Sequence, residues 1–272
     1  MKIFPESSFF KEKRAHTLPT PAEVRARNWE VDRFRAARVY RPPAVKFPSL
    51  GLVVKYGSGV TIVEAQTQVM VHERLRGTVP VPEIFALVED DKQLFIYMSL
   101  IEGATLQERW CDLNEDERRM ICGELKEMLR ALRTLEQDSH DRFVGNLGKQ
   151  PVNDVFLLDS LGLRGPFMGA CGIDIDGEAL IVFTHNDLVA PNIMLLLRRN
   201  PKVAAIIDWG QSGWLSAYWE YCKAKWVKLY PTHRFDEAAQ EEWHTKYLPN
   251  ILDPVDDETH WYPWLYFALA NI

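Results

Sequence analysis

One stretch, from Phe183 to Trp209, constrains the fold most because it predicts a loop, a hairpin and an acidic strand end in direct succession. The loop places His185, Asp187 and Asn192 close together in the chain. Two apolar runs follow, on either side of a turn at residues 198–201: Ile193–Leu197 and Val203–Ile207. Such a pattern predicts two antiparallel strands, the second of which ends at Asp208. The hairpin therefore returns Asp208 to the side of Asn192.

The residue types at this point of the hairpin suit a divalent cation. Amide and carboxylate oxygens are hard ligands of the kind that Mg²⁺ prefers. Taken singly, Asp187 and Asn192 could be turn formers, because both side chains bond local backbone, and a single His185 is more often a packed residue than a chemical group. The combination, directly followed by strand, turn, strand and Asp208, favours a site over a chance arrangement.

The two motifs H-N-D-L-V-A-P-N and I-I-D-W resemble the catalytic and metal-binding segments of aminoglycoside phosphotransferase and choline kinase-like enzymes, which are relatives of protein kinases. The resemblance implies that Asp187 is the catalytic base for the substrate hydroxyl, with His185 packed inward in support. It also implies that Asn192 and Asp208 hold the metal that bridges the ATP phosphates. Family members commonly have Gly where this chain has Asn186.

A lysine on an early strand fits the same resemblance. The run Leu50–Tyr56 predicts a strand with Lys55 near its end, and a helix follows from about Thr61. In the family, a lysine on this strand contacts the α and β phosphates and is positioned by a helix glutamate, which makes Glu64 the candidate partner. Two alternatives stay open for Glu64, since the Thr61-x-x-Glu64 pattern is also a capping box. Glu73 is a fallback partner.

The nucleotide site departs from protein kinases in one respect. A Gly-rich loop is expected before the lysine strand, but the segment R-P-P-A-V-K-F-P-S-L-G has one glycine, and Gly57–Gly59 is better read as the turn after that strand. Two further strands are predicted at Ile84–Glu89 and Gln93–Met98. The following residues resemble the family's hinge, so Met98 and Leu100 are expected to meet adenine.

The composition limits partner and compartment. The chain has 272 residues, 47% of them hydrophobic, and a net charge of −6, which argues against nucleic-acid binding. The charged N-terminus lacks the apolar run of a signal peptide, and no stretch has the length of a membrane span. The four cysteines lack metal-type spacing and are expected to be reduced and buried. We therefore expect a cytoplasmic protein without a membrane or an obligate protein partner.

Helices and loops make up the other predicted parts. Near the N-terminus, Pro21–Arg38 predicts a helix whose irregular apolar stripe is Val24, Trp29, Phe34 and Val39. A clearer helix runs over Asn114–Leu135, with a cap at Asn114 and Glu117. Residues 138–178 suggest surface loops that shape a substrate cleft. After Asp208, Glu220 begins an amphipathic helix, and the family has an acidic residue there that braces the catalytic loop.

The acidic and aromatic C-terminal part allows two interpretations. Acids such as Asp253, Asp256 and Asp257 beside aromatic faces could receive a cationic substrate. A solvated helix face over buried aromatic residues explains the same composition and is the more common case.

The resemblance implies an α+β, bilobal protein kinase-like fold. Residues 1–100 are expected to form an N-lobe with a small antiparallel sheet that binds nucleotide, and residues 101–272 a mainly helical C-lobe with the catalytic loop. The implied function is transfer of the γ-phosphate of ATP, with Mg²⁺, to a small-molecule hydroxyl, and a cationic acceptor is one option. Three alternatives remain: a kinase-fold protein that binds nucleotide or metabolite without transfer, a protein kinase, which lacks support because no D-F-G or A-P-E follows, and a metal hydrolase.

Overall fold

The structure is a computed structural model that describes residues 1–157, 163–168, 180–198 and 200–270. The chain divides into two compact units. Unit 1 comprises Met1–Arg74 and Val81–Ile101, and unit 2 comprises Leu75–Pro80 and Glu102–Ile272. Parts of the predicted loop region 138–178, and Arg199 of the predicted hairpin turn, lie outside the described residues.

Unit 1 is built on an antiparallel sheet of five strands in the order β1-β4-β5-β3-β2. The strands are β1 (Lys2–Ile3), β2 (Val45–Phe47), β3 (Leu52–Gly57), β4 (Ile84–Asp90) and β5 (Gln93–Ser99). Its helices are α1 (Ser8–Lys11), α2 (Pro21–Val31), α3 (Arg33–Ala36) and α4 (Ile62–Arg74). The strand that carries Lys55 and the two strands after α4 therefore form where the sequence predicts them.

Both faces of this sheet are covered, which explains the role of the N-terminal segment. Side chains alternate between the faces of a strand, so Leu52 and Val54 of β3 pack on one face in a cluster that includes Phe9 and Val24. The opposite face packs against α4 through a second cluster that contains Ala65. The first 44 residues thus supply the apolar cover that the outer face of the sheet requires.

The single helix predicted over Pro21–Arg38 is wrong in length and in its apolar stripe. The helix stops at Val31 because Asp32 is extended, with φ −154° and ψ 96°. The Asp32 side chain then caps α3 by accepting the Arg35 N–H at 3.0 Å. Val24 is fully buried, whereas the other members of the expected stripe are exposed: Trp29 by 49%, Phe34 by 91% and Val39 by 65%.

The segment that follows α3 is held on the turn after β3. The N–H groups of Ser58 and Gly59 donate to the carbonyls of Val39 and Tyr40, at 3.1 and 2.8 Å. A Cβ atom at position 59 would lie 2.6 Å from the ring of Tyr40. A glycine is required there because only its lack of a side chain lets Tyr40 approach this closely.

Unit 2 is mainly helical. Its helices are α5 (Leu106–Arg109), α6 (Glu115–Leu132), α7 (Trp219–Trp226), α8 (Glu237–Glu242), α9 (Leu248–Ile251) and α10 (Tyr262–Leu269). The longest, α6, begins with the expected capping box, in which Asn114 accepts from the N–H of Glu117 and the Glu117 side chain accepts from the N–H of Asn114. Its apolar stripe, including Leu125 and Leu129, is buried as predicted.

Short strands in unit 2 position the loops of the candidate site. They are β6 (Ala104–Thr105), β7 (Phe143–Val144), β8 (Phe167–Met168), β9 (Ile181–Thr184), β10 (Ile193–Leu195), β11 (Val203–Ile206) and β12 (Gly213–Ser216). The strands β10 and β11 form the predicted antiparallel hairpin, and β6 pairs with the other edge of β10. A second pair, β9 with β12, lies directly before the loop of His185.

The mixed α+β architecture, with an antiparallel sheet in unit 1 and a helical unit 2, confirms the predicted fold class. In the C-terminal part, Trp243 and Trp264 are buried, while Asp253, Asp256 and Asp257 are exposed. Tyr262 and Tyr266 of the same part are 43% and 73% exposed, so the expected solvated helix face over buried aromatic residues forms only in part. Among the described residues, no helix has the length and apolar character that crossing a membrane requires.

The cover of the outer sheet face can be tested at Phe9, which is fully buried with its ring 5.3 Å from that of Phe85. We expect Phe9→Ala to lower the free energy of unfolding by about 3–5 kcal/mol, because it removes a buried aromatic ring and leaves a cavity. Phe34→Ala is the matched control, since the Phe34 side chain is 91% exposed, and its effect should stay within about 0.5 kcal/mol. Urea unfolding measures both, and equal losses would contradict this packing.

Candidate active site

The loop between β9 and β10 brings Asp187 and Asn192 into direct contact. The Asn192 Nδ2 donates to the Asp187 carbonyl at 2.9 Å and to its Oδ2 at 3.0 Å. A short helical turn over Ala190–Asn192 makes this contact possible, because the Asn192 N–H bonds the carbonyl of Val189 at 2.9 Å. The predicted base and one predicted metal ligand are therefore neighbours in space as well as in sequence.

The hairpin brings Asp208 back to this loop. In the ladder, Ile193 pairs with Ile206, and the N–H of Ile207 donates to the Asn192 carbonyl at 2.9 Å. Asp208 follows immediately, with a left-handed backbone at φ 64° and ψ 66°. This conformation is uncommon for a residue other than glycine and is found at many functional sites. The predicted return of Asp208 beside Asn192 is confirmed, and its role as a metal ligand stays a prediction.

The donor set suits a magnesium ion. Because the Asn192 Nδ2 donates to Asp187, the hydrogen bond between the two side chains does not use the amide oxygen Oδ1. Within the described ranges, no three His, Cys, Asp or Glu side chains group closely enough to hold a metal ion. A cation here would consequently need the Asn192 oxygen beside carboxylate oxygens, and these are the hard ligands that Mg²⁺ takes while it keeps several waters.

His185 lies beneath this site as a structural residue. It is fully buried, and its Nε2 lies 3.0 Å from the Ile207 carbonyl, so Nε2 must carry the hydrogen. Its ring meets the Trp209 ring edge-on at 4.6 Å. Burial lowers the pKa of His185 despite the opposing charges of Asp187 and Asp208. A neutral His185 therefore fixes the strand end before Asp208, which is the inward packing that the sequence predicted.

Glu220 holds the backbone of the loop from below. It is 2% exposed, and its Oε1 accepts the N–H of Asn186 at 2.8 Å. Burial raises the pKa of Glu220 to about 7, although the N–H groups of Asn186 and His185 and the charge of Arg133 oppose that rise. The contact agrees with the bracing position expected for this residue. The helix that carries it is buried, with Trp219–Ala224 all inside, so the prediction of an amphipathic helix was wrong.

A buried ion pair near the loop was not predicted from the sequence. Asp154 is fully buried, Lys223 is 2% exposed, and their Oδ2 and Nζ atoms lie 3.0 Å apart. Lys223 also donates to the Oε1 of Gln211 at 2.7 Å. No local motif marks these residues, because Asp154 and Lys223 are far apart in the sequence. The one available signal was Asn186, a side chain with hydrogen-bonding groups where the resembled motif commonly has glycine.

In unit 1, Lys55 and Glu64 form an ion pair with Nζ and Oε1 2.5 Å apart. Their side chains are 17% and 3% exposed. The Thr61 hydroxyl accepts the N–H of Glu64 at 3.2 Å, which is one half of a capping box. Glu64 therefore serves as the helix partner of Lys55 while its backbone is capped, and the exposed Glu73 is not needed for that role.

The predicted hinge residues lie at the end of β5. Met98 is buried, and its backbone lies between Val53 of β3 and Ile84 of β4. The N–H of Leu100 donates to the Gly51 carbonyl at 2.9 Å. The amide of Leu100 is therefore used within unit 1, and an adenine contact at Met98 and Leu100 stays a prediction.

Comparisons with known proteins find one family match, which covers the loop and hairpin of the candidate site. Residues 174–261 match the model of a family described as "Phosphotransferase enzyme family". The matched segment contains Asp187, Asn192 and Asp208. No curated protein matches the sequence.

Solved structures of similar fold are aminoglycoside phosphotransferases. An aminoglycoside-3'-phosphotransferase of type VIII is 17% identical with a TM-score of 0.52, covering 81% of this chain and 84% of that one. The apo form of a thermostable mutant of aminoglycoside phosphotransferase APH(4)-Ia is 15% identical with a TM-score of 0.49, covering 74% and 71%. The first likeness confirms the kinase-like fold, and the family match covers the segment that carries the loop and hairpin motifs.

The raised pKa of Glu220 predicts a pH dependence of stability. Its pKa is about 7 in the folded chain against an ordinary 4.5, so between these values the folded state keeps a proton that the unfolded state has released. The free energy of unfolding should then fall as pH rises from about 4.5 to about 7, by about 1–3 kcal/mol from this group. Glu220→Gln keeps an acceptor for the Asn186 N–H and should remove that part of the decline.

Urea unfolding at a series of pH values from 4.5 to 8 measures the effect as the difference between wild type and variant. Glu241→Gln is the matched control, because Glu241 is exposed. If the Glu220→Gln and wild-type profiles run parallel across this range, Glu220 does not titrate as its burial implies.

Proposed function

We propose that the protein is an ATP-dependent phosphotransferase that moves the γ-phosphoryl group to a hydroxyl of a small molecule. One observation supports this most: the Asn192 amide donates a hydrogen bond to Asp187, and the hairpin returns Asp208 to the side of Asn192. All three residues lie in the segment that matches the phosphotransferase family. Phosphoryl transfer depends mainly on positioning and charge neutralisation, so a small set of correctly placed oxygen groups suffices.

In the proposed reaction, Asp187 accepts the proton of the acceptor hydroxyl. The hydroxyl oxygen bonds to the γ-phosphorus as the bond from that phosphorus to the β–γ bridging oxygen breaks, and the electron pair leaves with ADP. Asn192 orients the base, because its Nδ2 holds Asp187 Oδ2 at 3.0 Å and leaves Oδ1 to face the hydroxyl. His185 stays neutral and keeps its place against the Ile207 carbonyl.

Further residues would bind the nucleotide in this proposal. Asn192 and Asp208 would hold Mg²⁺, which neutralises phosphate charge when it is bound. Lys55, kept in place by Glu64 at 2.5 Å, contacts the α and β phosphates. The end of β5, at Met98 and Leu100, meets adenine. Each of these roles is carried over from the family resemblance to the matching residue of this chain.

For the acceptor substrate we propose a chemical class and not a single compound. We propose a hydroxylated small molecule, and a cationic one suits a chain of net charge −6 whose C-terminal acids are exposed. Amino alcohols and aminoglycosides are therefore the first compounds to test.

The described cysteines are free: Cys111, Cys122 and Cys222. Cys111 is exposed, contrary to expectation, and free thiols are typical of a reducing compartment such as the cytoplasm.

A second candidate is a kinase-fold protein that binds nucleotide without transfer. The connection between β2 and β3 favours it, because Pro48–Leu50 form a helical turn and only Gly51 is a glycine there. No Gly-rich loop precedes Lys55 to cover the phosphates. Nucleotide binding with no ADP formation in the presence of acceptors would support this candidate.

The test of the main proposal is Asp187→Asn. This variant keeps the size of the side chain but removes the base, so turnover should fall about 10² to 10⁴-fold. Acceptor-dependent ADP formation measures it, with melting and circular dichroism to verify the fold. Glu127→Gln is a control carboxylate outside the loop, in an exposed ion pair with Arg130 on α6, and should leave turnover unchanged. Near-normal turnover of a folded Asp187→Asn protein would remove Asp187 from the mechanism.

A further inference from the structure

Asn186, directly before the proposed base, has an unusual backbone and an unusual side-chain environment. Its φ of 60° lies in the left-handed region, which asparagine tolerates better than most residues. Its side chain is fully buried, and the Nδ2 donates to Asp154 Oδ2 at 2.8 Å and to the Gln211 carbonyl at 3.1 Å. With the backbone N–H held by Glu220, this residue is tied at three points.

The Asp154 carboxylate, which accepts a hydrogen bond from Asn186, is itself fixed. Asp154 takes hydrogen bonds from Trp219 Nε1 at 3.0 Å and from the Phe156 N–H at 2.9 Å, in addition to its ion pair with Lys223. Burial would raise the pKa of Asp154, but the charge of Lys223 and these hydrogen bonds outweigh burial and lower it. A charged, fully bonded carboxylate inside a protein is a rigid anchor, because moving any partner would leave a buried charge unsatisfied.

The two residues before Asp187 also bracket Asp208. His185 Nε2 bonds the carbonyl of Ile207, one residue before Asp208, and Asn186 Nδ2 bonds the carbonyl of Gln211, three residues after it. A short helical turn, Trp209–Gln211, connects these two points. The backbone that carries Asp208 is thus fastened on both sides to the backbone that carries Asp187.

We propose that Asn186 is a positioning residue, which ties the loops of Asp187 and Asp208 together and anchors both on the buried Asp154–Lys223 pair. The inference rests on the proposed function, since that function gives Asp187 and Asp208 their roles. Because its side chain is fully buried, Asn186 is assigned no contact with substrate or metal. It acts by holding the separation of the two carboxylates, and small misplacements of reacting groups cost large factors in rate.

The substitution that isolates this role is Asn186→Gly. Glycine adopts φ 60° without strain, so the variant loses the two side-chain hydrogen bonds and keeps the backbone path. Asp154 retains Lys223, Trp219 and the Phe156 N–H as partners. Lys92→Gly is the matched control, because Lys92 is an exposed residue at φ 59° in the turn between β4 and β5.

Hydrogen–deuterium exchange of the full chain provides a readout that does not depend on activity. In Asn186→Gly, we expect amides of residues 184–195 to exchange at least about tenfold faster than in wild type. The reason is that local opening of the loop no longer has to break the two Asn186 side-chain hydrogen bonds. Amides of α6 should keep their rates, and Lys92→Gly should leave the loop unchanged. Unchanged loop exchange in Asn186→Gly, or equal acceleration in the loop and α6, would overturn the proposal.

Turnover gives the second readout. If wild type forms ADP with an acceptor, Asn186→Gly should lower that rate at least about tenfold while Lys92→Gly does not. Faster loop exchange with undiminished turnover would overturn the positioning role. If wild type shows no turnover at all, the proposed function fails, and the exchange comparison still decides whether Asn186 ties the loops together. Should Asn186→Gly not fold, wild-type exchange is decisive, and loop amides no better protected than those of the exposed turn at Asp91 and Lys92 would equally overturn the proposal.

Discussion

The backbone pairing of β10 with β11 is the constraint on which the site depends. This ladder sets Ile193 opposite Ile206 and joins the Ile207 N–H to the Asn192 carbonyl at 2.9 Å, so Asp208 can emerge only beside Asn192. A slip of one residue would turn every side chain of a strand to the other face. The buried side chains of Ile193, Leu195 and Ile206 resist such a slip, since it would expose them. Apolar packing therefore fixes the separation of polar groups.

Buried polar groups next to the hairpin hold the loop of Asp187 in one conformation relative to the strands. Glu220 holds the Asn186 N–H, His185 holds the Ile207 carbonyl, and Asp154 holds the Asn186 side chain. In a low-dielectric interior each bond is strong, and each unsatisfied partner is costly. These bonds oppose alternative conformations of the loop of Asp187, and the proposed phosphoryl transfer depends on such positioning.

The sequence predicted those elements whose formation depends on residues close together in the chain. The hairpin, the strand of Lys55 and helix α6 formed as expected because strand alternation, turn residues and a capping box act over a few neighbours. The N-terminal helix did not, since the Asp32 side chain caps a second helix and ends the first. The Asp154–Lys223 pair and its bond to Asn186 join residues far apart in the chain. No sequence period marks such contacts, and the asparagine in place of glycine at position 186 predicted none of them by itself.

Phosphorus NMR of the wild-type protein with MgATP and hydroxylated acceptors tests the central claim most directly, because it follows the transferred group itself. The γ-phosphate resonance should decline only when Mg²⁺ and a suitable acceptor are present, and a phosphate monoester resonance should rise in equal amount to ADP. ATP that stays intact with every acceptor, or that yields only inorganic phosphate, would contradict the assignment of this site to phosphoryl transfer.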